Sequence, residues 1–255
     1  MYNWFYRYKN INCIILESNE TFDFVFEEGL TIKCPKDLWY LKEFWERIPH
    51  LLNGDLRYYK IKHNDIVVDC GAYIGIFTIY ASKKAGEQGK VIAFEPDPLN
   101  FNRLLSIIKI NNASNVIAIN KATWSKNGKM NFDYRGKGTS TLFTNKKISP
   151  IVSKITSVNN IIKVPTVTLD KELSKIGNNR VSFIKTDIEG AEIETLKGAK
   201  KTLEKYDVNL AIASNHIVNG EYTRFEVEKI LKKMGYFVKT EYPPHMTTYA
   251  WKNKN

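Results

Sequence analysis

Val67-Val68-Asp69-Cys70-Gly71-Ala72-Tyr73-Ile74-Gly75 decides how the rest of this chain is read. Ile66 to Val68 is an apolar run that predicts a buried parallel strand, closed by an acid and followed by two glycines. Ile76, Ile79 and Tyr80 then recur at helical spacing up to Gly86, which supplies a C-terminal stop. Strand, glycine turn and helix form the first half of a βαβ unit. Glycine suits the turn because a Cβ would hold a ligand away from the backbone. The following helix aims free N–H groups at a carboxylate or phosphate above it.

The glycine spacing narrows the ligand. A dinucleotide fingerprint reads Gly-x-Gly-x-x-Gly, set for a pyrophosphate. Here Tyr73 occupies the middle position and the pattern is Gly71-x-x-x-Gly75. The next strand, Val91 to Phe94, ends in Glu95-Pro96-Asp97. A carboxylate at that tip can accept both hydroxyls of a ribose, so these residues predict a nucleoside site without a bulky diphosphate. The bland alternative is a tight βα turn with no ligand.

Asp-x-Gly-Ala-x-x-Gly followed by Phe-Glu-Pro resembles a class I methyltransferase that binds S-adenosylmethionine. A third run, Ile184-Lys185-Thr186-Asp187-Ile188-Glu189-Gly190-Ala191-Glu192 and then Leu196-Lys197-Gly198-Ala199, with Thr168-Leu169-Asp170 upstream, is similar to the FkbM family of O-methyltransferases. The likeness spans roughly Asp65 to Met234. It implies an α/β fold: a Rossmann-like seven-stranded sheet with helices on both faces over residues 65–255, plus an N-terminal extension, 1–64. Under it, Gly71, Ala72, Tyr73 and Gly75 would offer backbone to the methionine part of S-adenosylmethionine. Glu95, with Pro96, would hold the ribose. Asp69 would orient the turn or reach the ammonium through water.

Two residues qualify as the base that takes a proton from an alcohol acceptor. Asp187 ends the fourth strand and would either do this or bind the cofactor's ammonium. His216 follows the fifth strand, and an ordinary imidazole pKa of about 6.5 suits a base at neutral pH. Its alternative is a solvated loop histidine. Relatives carry an acid close before this histidine, where this chain has Ala213-Ser214-Asn215. Glu189 and Glu192 read as acids at a helix N-terminus, favoured by its dipole. Asp187 with Asn215 would give a magnesium ion only two oxygen ligands, so no metal is expected.

The extension shows a hairpin pattern, with Phe22, Phe24 and Phe26 on one face and Leu30 to Cys34 following Glu28-Gly29. Leu38, Leu41, Trp45 and Ile48 then predict a helix stopped by Pro49, either a core lid or a cover for the cofactor and acceptor pocket. No linker composition precedes Asp65, so docking on the main domain is expected. Downstream, Asp97 and Pro98 predict a capped helix start, and Val116 to Ile119 a third strand. Met130 to Tyr134 and Ser140 to Phe143 read as short strands around Gly136 and Gly138, and Thr144 to Asn160 as a long loop, either functional or a disordered insertion. Val181 to Lys185 and Val208 to Ala213 are the fourth and fifth strands. Thr223-x-x-Glu226 reads as a capping box. Tyr236 to Thr240 and Thr247 to Trp251 close the sheet with the antiparallel end that the resemblance implies.

At 255 residues the chain can bury a substantial core, and its 43% hydrophobic content is that of a soluble protein. No apolar stretch reaches the ~20 residues of a membrane span, and Met1 to Asn10 lacks the pattern of a signal peptide. Cys13, Cys34 and Cys70 are odd in number and far apart, which fits neither a disulfide framework nor a metal knuckle and points to a reducing cytoplasm. The net charge of +11 is spread as scattered lysines without an arginine-rich block, so nucleic acid is not the expected partner. The reading is methyl transfer to a hydroxyl on a sugar, a glycan or a small metabolite. The competing readings are RNA 2′-O-methylation and a cofactor-binding protein without catalysis. Oligomeric state is not legible.

Overall fold

The computed structural model describes residues 13–133, 141–143, 161–176, 180–241 and 245–252. Gly136, Gly138 and the 144–160 loop lie outside the described residues. The extension opens with β1 (Cys13–Glu17), β2 (Thr21–Phe26) and β3 (Thr31–Pro35), a three-stranded antiparallel sheet rather than a lone hairpin. Its alternating Phe22, Phe24 and Phe26 all turn inward and are buried.

Helix α1 (Leu38–His50) starts at Asp37, whose carboxylate accepts the Trp39 N–H at 2.7 Å. Pro49 does not stop it. The proline takes one N–H out of the ladder, and the chain carries on as a π-helical turn, Leu51–Asp55, before it unwinds. That extra turn brings His50 and Asp55 to the main sheet.

The main sheet comprises β4 (Ile66–Cys70), β5 (Lys90–Phe94), β6 (Val116–Ile119), β11 (Phe183–Thr186), β12 (Asn209–Ala213), β15 (Phe237–Glu241) and β16 (Thr247–Trp251). Their order is β15-β16-β12-β11-β4-β5-β6, with β16 alone running against its neighbours. Parallel strands buried on both faces read as continuous apolar runs, and all five residues of β4 are buried. A second sheet of β7 (Ala122–Thr123), β8 (Gly128–Asp133), β9 (Thr141–Phe143) and β10 (Ile161–Val167) extends from the end of β6.

Helices cover both faces. On one lie α2 (Ile76–Ala85) and α3 (Pro98–Ile110), the latter capped by Asp97, which accepts the N–H groups of Leu99 and Asn100. Eight of the ten α2 residues are buried, because the extension packs on the side that the sheet leaves open. On the other face are α4 (Leu169–Lys175), α5 (Glu192–Gly198), α6 (Lys200–Lys205) and α7 (Thr223–Lys233).

The capping box at Thr223 does not form. Tyr222 is the cap, with no side-chain hydrogen bond, because the β13 (Ile217–Val218) and β14 (Glu221–Tyr222) hairpin delivers the chain with the Thr223 N–H already bonded to His216 O at 2.8 Å. Polar bonds as well as apolar packing tie the extension down. Asn111 both accepts the Lys33 N–H and donates to its carbonyl, each at 2.8 Å, and the Tyr249 hydroxyl donates to Gly54 O at 2.9 Å.

Candidate active site

A cavity of about 390 Å³ opens above the carboxyl ends of β4, β5, β6, β11 and β12, the crevice in which open α/β sheets bind ligands. One wall is helix α1, through Glu43, Glu46, Arg47 and His50. The helix is thus both a core lid and a wall of the pocket, since Phe44 and Ile48 on its inner side are buried.

The glycine turn forms the floor. Gly71 and Gly75 have φ of +80° and +96°, and Tyr73 between them sits at +52°, a left-handed conformation that non-glycine residues rarely hold. Two bonds fix it: the Gly75 N–H donates to Ala72 O at 2.9 Å, and the Tyr73 N–H donates to Glu95 Oε2 at 2.8 Å. The Arg47 guanidinium lies 4.4 Å from the Tyr73 ring centroid and pairs with Glu43 at 3.0 Å. Glu95 also accepts the Asp97 N–H on Oε1, at 3.0 Å. It is buried, and burial, against those two N–H groups, pushes its carboxyl up to about 8.

Of the site candidates read from the sequence, Gly71, Ala72, Tyr73, Glu95, Pro96, Asp187 and His216 line the cavity. Asp69 and Gly75 do not. Asp69 is fully buried and faces inward, accepting from Thr78 Oγ1 at 2.6 Å and from Lys185 Nζ at 3.2 Å. Lys185 also donates to Gly71 O at 3.0 Å. Asp69 therefore reaches the turn through Lys185. Gly75 serves packing: a Cβ there would lie 2.6 Å from Leu104 Cδ1 on α3.

The Asp187–Glu192 run builds the opposite wall. The Asp187 N–H donates to Cys70 O at 3.0 Å, which fixes the loop to the end of β4. Glu192 is fully buried and accepts the N–H groups of Ile188 and Gly190 on Oε1, at 3.2 and 3.3 Å. Its sequence reading as a dipole acid is too weak, because it clamps the loop whose Glu189 and Gly190 take φ of +54° and +101°. Thr168 and Asp170 have structural duties as well: Thr168 caps α4, and Asp170 accepts the N–H groups of Lys201 and Thr202 at the start of α6.

His216 stands among three carboxylates. Its Nδ1 is 2.9 Å from Glu192 Oε1, and its Nε2 lies 3.8 Å from Asp187 Oδ1 and 3.6 Å from Glu189 Oε2. Burial opposes its charge, but the Glu192 contact and the charges of Glu192, Asp187 and Glu189 outweigh it and hold the imidazole up at about 9. These neighbours favour the protonated ring, which works against the sequence expectation of a neutral base at this position. Donor atoms of Asp187, Glu189 and His216 lie within 4.8 Å of one another, near enough to share a metal ion. Asp187, opposed by burial but favoured by Lys185 and then by His216, stays below the usual carboxylate range.

A raised folded-state pKa means that the His216 contribution to stability is fully present below its unfolded value near 6.5 and lost as pH rises through about 9. Stability measured by urea unfolding should therefore decline between these values, and His216→Gln should flatten the decline. An unchanged slope in the variant would mean that His216 is not charged in the folded state.

Sequence reasoning missed Arg47, His50, Asp55, Lys185 and His245, all of which line the cavity. Asp55, on the π-helical turn, is pushed up to about 7 by burial. His50 and His245 meet across the cavity wall with their Nδ1 atoms 3.1 Å apart. They are 195 positions apart in the chain, and no local motif marks either.

Residues 69–238 match the methyltransferase FkbM domain. The chain is 32% identical over 157 residues to methyltransferase sdnD of Sordaria araneosa, covering 53% of this chain and 60% of that one. It is 25% identical over 194 residues to hexuronic acid methyltransferase AglP of Haloferax volcanii, covering 73% and 69%. Among solved structures, a methyltransferase FkbM from Methylobacillus flagellatus KT superimposes with a TM-score of 0.56 at 19% identity, over 79% of this chain and 48% of that one. The chain thus spans about three fifths of the length of sdnD and about half of that solved structure.

Proposed function

The chain belongs to the FkbM methyltransferase family, and from that premise we propose that it uses S-adenosylmethionine to methylate a hydroxyl on a sugar, a glycan or a small metabolite. The observation that carries the reading is the buried Glu95 carboxylate bonded to the glycine turn through the Tyr73 N–H. The Tyr73 and Asp97 N–H groups take one position on each oxygen; with the carboxyl held up at about 8, an O–H donor and the remaining acceptor capacity are left for a ribose diol. A dinucleotide is disfavoured, because the turn reads Gly71-x-x-x-Gly75 and not the Gly-x-Gly-x-x-Gly set for a pyrophosphate.

The donor set fits S-adenosylmethionine, which supplies an electrophilic methyl group when bound. Gly71, Ala72 and Tyr73 present backbone to the methionine part. Asp187, ionised at the end of β11, takes the ammonium. Helix α1 excludes water from the other side and limits the acceptors that can enter. Rate then comes mainly from holding the acceptor oxygen in line with the methyl group. Support for a sugar acceptor comes from the hexuronic acid methyltransferase relative.

The test is transfer of tritium from methyl-labelled S-adenosylmethionine into a fractionated cell extract. Label in a glycan or metabolite fraction is expected. Label in RNA alone, or none with cofactor binding intact, would refute the reading. Glu95→Ala should weaken S-adenosylmethionine binding by about 1.5–3 kcal/mol, the scale of hydrogen bonds to a charged group. Calorimetry checks this, and unchanged affinity would place the ribose elsewhere.

A further inference from the structure

We infer that His245, hydrogen-bonded to His50 at the cavity wall closed by α1, is the base that takes the proton from the acceptor hydroxyl. The inference rests on the methyl-transfer reading above and assigns a residue that reading leaves open.

Three observations carry it. The first is the Nδ1···Nδ1 hydrogen bond of 3.1 Å. Such a bond needs one ring to donate its Nδ1–H and the other to accept on a bare Nδ1. A neutral ring that donates through Nδ1 has a bare Nε2, which is what a base requires. The second is that His245 Nε2 is itself covered and has no hydrogen-bond partner among the described residues, in a residue that lines the cavity. A buried polar atom left alone calls for a ligand group, and a hydroxyl proton is the complement of a bare ring nitrogen. The third is the contrast with His216, whose two nitrogens face Glu192, Asp187 and Glu189, a setting that favours the protonated ring.

The surrounding charges agree. Burial, then Lys185, His216 and Arg47, disfavour a proton on His245, while Asp187 favours it. Burial, then His245 and Arg47, disfavour one on His50, against Asp187. Both imidazoles are held below their ordinary value. Asp187 is in place to stabilise the cation once it forms.

The step balances. The acceptor O–H bond breaks and its proton goes to His245 Nε2. The oxygen pair forms the new bond to the methyl carbon, and the pair of the broken carbon–sulfur bond stays on sulfur. One positive charge leaves sulfur and one appears on the His245 ring, whose Nδ1–H remains bonded to His50. His50 is a positioning residue that fixes the tautomer. The arrangement also gives the extension a part in the chemistry, since His50 is the last residue of α1.

The experiment uses the full chain, tritiated S-adenosylmethionine and the extract fraction that accepts label, together with ¹⁵N spectra of the imidazoles. His245→Ala and His245→Asn should bind the cofactor within about twofold of wild type and lose roughly 10²–10⁴-fold in kcat, the yield of general-base catalysis. The wild-type kcat should rise with pH through a limb below the ordinary histidine value of about 6.5. His50→Asn, which can place an amide near the Nδ1 position, should keep most of the rate, whereas His50→Leu should lose it and move the limb. The spectra, which need no acceptor, should show His245 neutral at pH 7 with its proton on Nδ1. Wild-type kcat in both His245 variants would overturn the inference, as would an imidazolium at His245 at pH 7. So would a limb near pH 9 that vanishes in His216→Ala, or a limb that vanishes in Asp55→Asn instead. Failure of the wild-type chain to bind S-adenosylmethionine would overturn the methyl-transfer reading itself, and calorimetry separates that result from a fault at His245.

Discussion

Lys185→Met is expected to destabilise the fold by about 3–5 kcal/mol, the usual cost of removing one partner from a buried ion pair. Lys185 and Asp69 lie on the adjacent strands β11 and β4, 7% and 0% exposed, with Nζ 3.2 Å from Oδ1. Burial works against the ammonium, but Asp69, Asp187 and Asp55 outweigh it and hold the lysine above its ordinary pKa. Methionine matches the length of the side chain but leaves Asp69 as an uncompensated charge beside Thr78. It also takes the donor from the Gly71 carbonyl, so S-adenosylmethionine should bind more weakly as well. Adding Asp69→Asn should recover much of the stability, because the amide oxygen can still accept from Thr78 Oγ1 and no charge is stranded. Urea unfolding of the two single variants and the double variant checks this. A loss below about 1 kcal/mol in Lys185→Met, or no recovery in the double variant, would show that the pair does not hold the turn.

The sequence made the sheet legible because its signals are local. Val67 and Val68 are followed within three residues by the glycine turn. Asp97-Pro98 both caps and starts α3. The single antiparallel strand follows from two closing strands after α7. The partners of a side chain are set by distant residues and left no such trace. An acid at the end of β4 looks the same whether it faces a ligand or a lysine, and the lysine that turned Asp69 inward lies 116 positions away. His216 had an ordinary imidazole's prospects until Glu192, clamped on the next loop, arrived at 2.9 Å. Pro49 read as a stop because proline breaks the α ladder, but the chain had a π-helical continuation available. His245 follows Pro243-Pro244, which reads as nothing more than a connection between strands.

The glycine turn carries the other large effect. Gly71→Ala is expected to destabilise by about 2–5 kcal/mol: roughly 1–2 for the left-handed backbone and about 1–3 for the overpacking. A Cβ on Gly71, at φ +80°, would lie 2.0 Å from the Asp187 carbonyl oxygen and 3.0 Å from its carbon. Those are backbone atoms of a loop already bonded to Cys70 O, so no side chain can swing away. The strand ends must part, and Asp187 must move within the cavity. Gly235→Ala is the control, because it has the same φ of +80° with nothing within 4 Å of the added carbon. It should lose only the conformational part, about 1–2 kcal/mol, and leave S-adenosylmethionine binding untouched. The difference between the two variants in urea unfolding isolates the clash, and calorimetry shows whether Asp187 has shifted. Equal losses in the two variants, with cofactor affinity preserved in Gly71→Ala, would mean that β4 and β11 can separate freely and that the close approach at Gly71 does not shape the site.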